Sequence, residues 1–518
     1  MTATIGELID RAAGWFGDAV AVIDGNRRLS FREVGERSNR LANAFVQLSP
    51  ATGARVAILM PNRLEFVETD FAIAKAAKVR VPINPRLADR EREYVLANSG
   101  AETLVYDVQF APFVEAVRDR LPDLRSAVAV GGDDGGAFAY ESLLQRGSPK
   151  PPGVSHAPDD ANFILYTSGT TGQPKGATAT NRSRMAATFN MLTDEIDAGP
   201  GDAMAHIGAM AHGSGSKVLA FFLRGARNIP VPKFEPDRFL DLVERERVTN
   251  TFVVPTMIAM LVEAAANGRA DIASLRGVSY GGAPIAPARL QEALEALGNI
   301  FVQVYGSCEA PHPVLVLSKK DHLIPPGKEA RLGSLGREVT STEVRVAGAD
   351  GGPVPVGERG EMWIRGDNVM RGYWNNAAAT EEVFEDGWYK TGDVCYRDED
   401  GFIYIVDRAR DMIITGGLNV YPAEVEAALH RHPAIAEVAV FGIPDDHWGE
   451  TVKAVVVLKP GASATADAII EHCRKELAGY KKPHSVDFVD MLPKGSTGKI
   501  LKRDLQAPYW AGQSRRVH

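Results

Sequence analysis

The stretch YTSGTTGQPKGA, residues 166–177, sets Thr167, Ser168, Thr170 and Thr171 among Gly169, Gly172 and Gly176, with Lys175 close behind. Glycines let successive backbone N–H groups turn toward one point, and hydroxyls add donors, which makes an anion cradle. A lysine beside such a loop supplies a mobile point charge suited to terminal phosphates. The competing reading is a polar turn next to an incidental lysine. Three kinds of donor coinciding directly after an apolar run disfavour it. A P-loop needs GxxxxGK followed by Ser or Thr. Here Lys175 is followed by Gly176, and Lys499 in PKGSTGKIL by Ile500. Kinase-like and P-loop ATPase chemistry is therefore disfavoured.

The loop needs a rigid strand in front of it, and NFILYTS (162–168) reads as one. RVAILM (55–60), VRVPINP (79–85), TLVYD (103–107) and TFVVPT (251–256) read likewise as buried strands. Between them, FREVGERSNRLANAFVQL and LEFVETDFAIAKAA carry apolar residues at helical spacing. This alternation implies an α/β fold of parallel sheets covered by helices. GGDDGGAFAY and SPKPPGVSHAPDD read as surface loops. From about residue 335 the strands shorten (EVRVAG, GEMWIRG, FIYIVD), and from about 411 a small α+β segment follows. Its helices are PAEVEAALHRH and DAIIEHCRKEL, and its strands are EVAVFGI and TVKAVVVL.

A chain of 518 residues is expected to form more than one domain. Its net charge of −8 disfavours a general nucleic-acid binder, so anionic ligands must be held by local devices. Three cysteines, Cys308, Cys395 and Cys473, with no CxxC spacing fit a reducing compartment and give no zinc site. The N-terminus lacks a basic start followed by an apolar core, and TFVVPTMIAMLVEAAA is too short to span a bilayer. No signal peptide and no integral membrane segment are expected, and the cytoplasm is the default location.

The loop resembles the phosphate-binding signature of the adenylate-forming superfamily, which includes acyl-CoA synthetases, luciferases and nonribosomal adenylation domains. Five further segments match that family in its order: YGGAP (280–284), YGSCE (305–309), YKTGD (389–393), DRARDMIITGGLNVYPAEVE (407–426) and PKGSTGKILK (493–502). The resemblance spans nearly the whole chain. It implies a large N-terminal domain (1–409) of parallel-rich sheets with a small β-barrel-like subdomain, and a small mobile α+β C-terminal domain (410–518). It also implies ATP, Mg²⁺ and coenzyme A as cofactors. A carboxylic acid would attack the α-phosphate of ATP, pyrophosphate would leave, and the acyl group would pass to a thiol. Such a step needs neutralised charge and positioning more than a general base.

By the same resemblance, Thr167, Ser168, Gly169, Thr170, Thr171, Gly172 and Lys175 would cradle the β- and γ-phosphates, and Glu309 would hold Mg²⁺. Tyr305 and Gly306 would meet the adenine, beside Gly281, Gly282, Ala283 and Pro284. Asp393 would accept from the ribose hydroxyls with Arg408 assisting. Lys499 would reach the carboxylate and α-phosphate. Singly, each residue could be an ordinary surface or turn residue; the motif context favours function. Cys308 stands where relatives usually carry Thr. A thiol is a poorer donor, and a tolerated replacement is favoured over a nucleophile.

The implied hinge falls on Arg410, where relatives commonly carry Asp or Lys. Rotation there would bring the TGGLN loop into the site, with Gly416 and Gly417 clearing a path for pantetheine. Trp448, Lys482 and His484 lie where some relatives meet the CoA nucleotide. For the acid pocket, AMAHGSGSKVLAFFL (209–223) supplies His212 as the gate between carboxylate and ATP, although a core histidine is a real competitor. Ser214, Gly215 and Ser216 leave space. Lys217 could pair with a polar substrate tail, but snorkelling to solvent is favoured. Tyr280 could narrow the cavity. The reading is an acyl-CoA synthetase for a medium-sized acyl or aryl acid. An adenylation enzyme loading a carrier protein is the alternative, and a homodimer is left open. A nucleotide-binding regulator without catalysis is disfavoured by Lys175, Glu309, Asp393 and Lys499.

Overall fold

The strand Ala161–Tyr166 pairs parallel with Val79–Pro82 and antiparallel with Gly176–Thr180, so the hydroxyl- and glycine-rich stretch joins the two arms of a hairpin. The computed structural model describes residues 3–132, 138–167, 174–268, 271–283, 285–408, 411–415, 418–445, 448–495 and 500–511, with the main chain alone at Asp407, Arg408 and Asn419. Among these, the hairpin belongs to an eight-stranded sheet. Its order is Gly372–Tyr373, Gly176–Thr180, Ala161–Tyr166, Val79–Pro82, Arg55–Leu59, Thr103–Asp107, Ser126–Val130, Phe138–Ala139.

A nine-stranded sheet runs Arg337–Glu338, Leu315–Leu317, Phe301–Tyr305, Gly277–Gly281, Asn250–Val253, Ala203–His206, Arg227–Pro230, Val20–Asp24, Arg27–Ser30. From Phe301–Tyr305 to Val20–Asp24 all neighbours are parallel, and antiparallel strands close both edges. The parallel strands are apolar on both faces because helices cover both. The helix Phe31–Leu48 illustrates how local chemistry fixes these covers. Ser30 Oγ accepts from the Glu33 N–H at 3.2 Å, and Glu33 Oε2 accepts from the Ser30 N–H at 2.8 Å. That reciprocal cap satisfies two orphan donors. Phe31 then packs on Phe222 (4.7 Å between ring centroids), which in turn meets Phe71 at 4.8 Å.

These two sheets form one compact unit, residues 1–343 and 365–387; residues 344–364 and 388–518 form another. In the second unit, Trp388–Arg397 pairs antiparallel with Arg359–Gly366 and with Ile403–Arg408 in a curled sheet. The same unit holds an α+β layer. Its strands Ile435–Asp445, Gly449–Leu458 and Ser485–Phe488 carry the helices Pro422–His430 and Ala466–Glu476. The protein is thus α/β with a large portion of parallel sheets and helices, a curled antiparallel sheet and a C-terminal α+β portion.

One loop is shorter than its composition suggests. In GGDDGGAFAY, Phe138–Ala139 adds an edge strand, and Tyr140 opens the helix Tyr140–Arg146. Tyr140 is anchored because its hydroxyl donates to the buried Glu68 carboxylate at 2.8 Å. Among the described residues, no helix is long and apolar enough to cross a membrane.

Candidate active site

At the neck of the hairpin, the Thr167 N–H donates to the Lys175 carbonyl at 3.0 Å, and the Lys175 N–H donates to Thr167 Oγ1 at 3.3 Å. The neck is pinned by its own backbone, so Lys175 leaves it in a fixed direction. Its Nζ lies 5.1 Å from the centroid of the Tyr373 ring. Tyr373 is there because Gly372–Tyr373 adds as an edge strand to Gly176–Thr180, with Tyr373 opposite Ala177. Ser168, Gly169, Thr170, Thr171 and Gly172 lie outside the described residues.

The Tyr373 hydroxyl donates to Glu309 Oε1 at 2.9 Å. Burial, and then the Glu309 charge, push the Tyr373 phenol far above its ordinary pKa, so it remains a donor. Glu309 is held from its backbone as well: its N–H donates to Ser307 Oγ at 3.2 Å, and its carbonyl accepts from Met370 at 2.7 Å. The loop carrying it leaves Tyr305 at the end of Phe301–Tyr305 and folds back so that Val314 N–H reaches the Tyr305 carbonyl at 2.8 Å. Gly306 permits that fold. A Cβ there would stand 2.6 Å from the His312 backbone. Thr167, Lys175, Tyr305, Gly306, Cys308 and Glu309 therefore belong to one unit, at the carboxyl ends of two parallel-rich sheets, where open α/β sheets bind ligands. Gly281 ends its own strand beside Phe301–Tyr305; Gly282 and the exposed Ala283 follow it, and Pro284 lies outside the described residues. No cysteine is disulfide-bonded, and Cys308 is partly buried.

A single carboxylate such as Glu309 suits Mg²⁺, which keeps waters and phosphate oxygens in its shell and needs no full protein cage. Among the described residues, no cluster of three His, Cys, Asp or Glu suited to a metal occurs. Glu309 fits such an ion, with Tyr373 orienting one of its oxygens.

His212 precedes the helix Gly213–Leu223, and its carbonyl accepts from Gly215 at 3.1 Å. Two readings of this segment are corrected. Lys217 does not snorkel: it is 1% exposed, and its ammonium is bonded to Glu195 Oε1. The helix is covered where Lys217 emerges, so a counter-charge replaces water. Tyr280 does not narrow the space beside Gly281. Strand alternation turns it to the opposite face, where it packs on Phe301 and places its hydroxyl 3.0 Å from His322 Nε2.

In the second unit, Asp393 is buried in Trp388–Arg397, with its N–H on Thr391 Oγ1 at 3.0 Å. Arg408 stands opposite it in register on Ile403–Arg408, although its side chain is outside the description. Trp448 is 47% exposed at the turn between Ile435–Asp445 and Gly449–Leu458. The exposed His484 bonds Val452 O through its N–H at 2.7 Å, next to the partly buried Lys482. Arg410, Gly416, Gly417 and Lys499 lie outside the described residues.

A model of the AMP-binding enzyme family matches residues 9–374, and a model of the AMP-binding enzyme C-terminal domain matches 424–499. The chain belongs to the AMP-binding enzyme family. This AMP-binding enzyme is 40% identical over 491 residues to a feruloyl-CoA synthase of Amycolatopsis, covering 94% of this chain and 95% of that protein. It is 36% identical to a long-chain fatty acid–CoA ligase of Mycobacterium tuberculosis, covering 93% and 94%. Among solved structures, the amide bond synthetase McbA of Marinactinospora thermotolerans matches with a TM-score of 0.89, at 27% identity, over 98% of this chain and 100% of that one.

Sequence reasoning missed Tyr373, and also Glu195, Phe252, Ser279 and His312 around Lys217. The one local signal was RGYWN, an aromatic pair after glycine in a short strand, which by itself names no partner.

Proposed function

We propose that this AMP-binding enzyme is an ATP-dependent acid–thiol ligase that activates a carboxylic acid as its acyl-AMP and transfers the acyl group to CoA. The arrangement of Lys175 and Glu309 about Tyr373 supports this best: a cation and a carboxylate share one aromatic post at the neck of the phosphate loop. The relatives named as CoA synthase and CoA ligase, matched over nearly their full lengths, support the same reading.

In the first half-reaction, a carboxylate oxygen attacks the α-phosphorus and the α–β anhydride bond breaks, so pyrophosphate leaves. Lys175 and the donors of residues 167–172 hold the departing phosphates. Glu309 would hold Mg²⁺, which when bound would neutralise phosphate charge. Gly281, Gly282, Ala283, Pro284, Tyr305 and Gly306 seat the adenine, Asp393 and Arg408 hold the ribose, and His212 separates acid from nucleotide. Cys308 is a weak donor to the AMP phosphate. Lys499 supplies charge at the carboxylate and α-phosphate. In the second half-reaction the thiol attacks the acyl carbon, the acyl–oxygen bond to AMP breaks, and AMP leaves. Gly416 and Gly417 give the pantetheine its path; Trp448, Lys482 and His484 take the CoA nucleotide. A boundary at 409/410 with Arg410 as hinge separates the mobile part. The acid is a medium-sized acyl or aryl acid.

The test is pyrophosphate release over a panel of carboxylic acids, with CoA, a phosphopantetheinyl carrier protein or an amine as acceptor. Release that depends on both acid and ATP, with a thioester of CoA as product, is the expected result. Release with acyl transfer only to carrier or amine would replace the acceptor. No release with any acid would overturn the reading.

A further inference from the structure

Glu195 ends the π-helical turn Met191–Glu195 with its side chain fully buried. Its Oε1 takes the Lys217 ammonium and, at 2.6 Å, the Ser279 hydroxyl. Its Oε2 is buried and has no hydrogen-bond partner among the described residues. A buried carboxylate oxygen without a donor carries a desolvation cost that a hydrogen bond to it would offset. Burial opposes the Glu195 charge, but Lys217, His312 and Ser279 hold its carboxyl below the ordinary value, which keeps Oε2 an acceptor.

Two elements locate this oxygen relative to the site. Ser279 and Gly281 lie on the same face of Gly277–Gly281, about 7 Å apart along the strand. Lys217 sits about 6 Å along its helix from Gly213, the residue after His212. Glu195 is thus bonded to one residue two strand positions from Gly281 and to another about one helical turn from Gly213, next to the positions proposed for nucleotide and carboxylate. Phe252, in register with Ser279 on the neighbouring strand, stacks on His312 with centroids 5.5 Å apart and planes 10° apart. Gly213 makes room for it, since a Cβ there would be 2.9 Å from the Phe252 ring. Lys217 Nζ lies 5.3 Å from the centroid of Phe252, and Ser216 Oγ lies 3.1 Å from His312 Nε2.

We propose that the acid is a short aromatic one bearing a hydroxyl at the end remote from its carboxylate, and that Glu195 Oε2 accepts from that hydroxyl. The inference rests on the activity proposed above and narrows its acid. The ring lies along Phe252 and His312, and the hydroxyl supplies the donor that Oε2 lacks. A long alkyl chain would instead end against a charged pair that it can neither bond nor displace.

The experiment uses the full chain with ATP, Mg²⁺ and CoA. It compares kcat/KM within pairs of acids that differ by one hydroxyl: 4-hydroxybenzoate and benzoate, 4-hydroxycinnamate and cinnamate, 8-hydroxyoctanoate and octanoate, with decanoate alongside. At least one hydroxylated aromatic acid should exceed its partner by about 100-fold or more, as in sites built to bond a substrate hydroxyl. In the double variant Glu195→Leu/Lys217→Met, which leaves no buried charge unpaired, that ratio should fall to near 1 or invert. Pyrophosphate release with no hydroxyl preference, or with decanoate preferred, overturns this inference and leaves the ligase reading intact. So does a folded double variant that keeps the wild-type ratio. No release with any acid overturns both.

Discussion

Tyr373 donates its hydroxyl to Glu309 at 2.9 Å while its ring faces the Lys175 ammonium, so a single side chain orients the carboxylate and the cation of the proposed phosphate site. Tyr373→Phe keeps the ring under Lys175 and removes only the donor. A hydrogen bond to a charged group is worth about 1.5–3 kcal/mol, so pyrophosphate release should fall roughly 10- to 100-fold. A Mg²⁺ titration should show a higher requirement in the variant. An unchanged titration would remove Tyr373 from the positioning of Glu309.

Gly306→Ala probes the fold-back of the loop. The added Cβ would meet the His312 backbone at 2.6 Å, and backbone cannot swing aside as a long side chain does. The loop from Gly306 to His312 must shift, and Glu309 with it. Adenylation should drop by about 10²-fold, as misplacement of about 1 Å does elsewhere. Circular dichroism should remain that of the parent.

Lys499→Ala should abolish adenylation while leaving thioester formation from supplied acyl-AMP largely intact. Removing one preorganised donor costs about 10²–10³-fold in the step it serves. Separate assays of the two half-reactions check this. Equal losses in both would contradict the assigned role.

Arg410→Pro should damage the half-reactions unevenly with ATP binding retained, because proline would fix φ at the position proposed as the hinge. Single-turnover assays of each step read this out. Parent-like rates in both would move the pivot elsewhere.

Glu65 predicts an acid-sensitive contribution to stability. Burial alone would raise its pKa, yet Arg27 Nη1 at 2.6 Å and Arg63 Nε at 2.7 Å hold the carboxyl down at about 2. Its folded value is depressed below the ordinary 4.5, so the contribution is complete above pH 4.5 and lost as pH falls toward 2. The shift corresponds to about 3 kcal/mol. Glu65→Gln should lower the thermal midpoint at pH 7, and the gap between the two proteins should narrow below pH 4.5. A gap of constant size down to pH 3 would refute this origin.

Much of the fold was legible because its signals are local. Helical spacing placed Phe31–Leu48, and the Ser30–Glu33 cap that starts it lies three residues apart. Apolar runs placed Arg55–Leu59 and Thr103–Asp107, and six ordered motifs identified the family and the chemistry. Strand alternation, also local, would have turned Tyr280 away from Ser279 and Gly281 had it been applied there.

Tertiary structure alone decided the partners. Glu195 and Lys217 are 22 positions apart, and Tyr373 and Glu309 are 64 apart; no spacing rule joins either pair. A lysine in an apolar helix reads the same whether its stem carries the charge to water or its ammonium meets a buried carboxylate. What differs is the packing around it, which depends on strand order and helix placement across the whole sheet. The sequence by itself determined the family, and its motifs carry the proposal of which residues stand beside phosphate and nucleotide. Only the fold determined that Tyr373 links Lys175 to Glu309, and that one oxygen of the buried Glu195 carboxylate has no hydrogen-bond partner among the described residues.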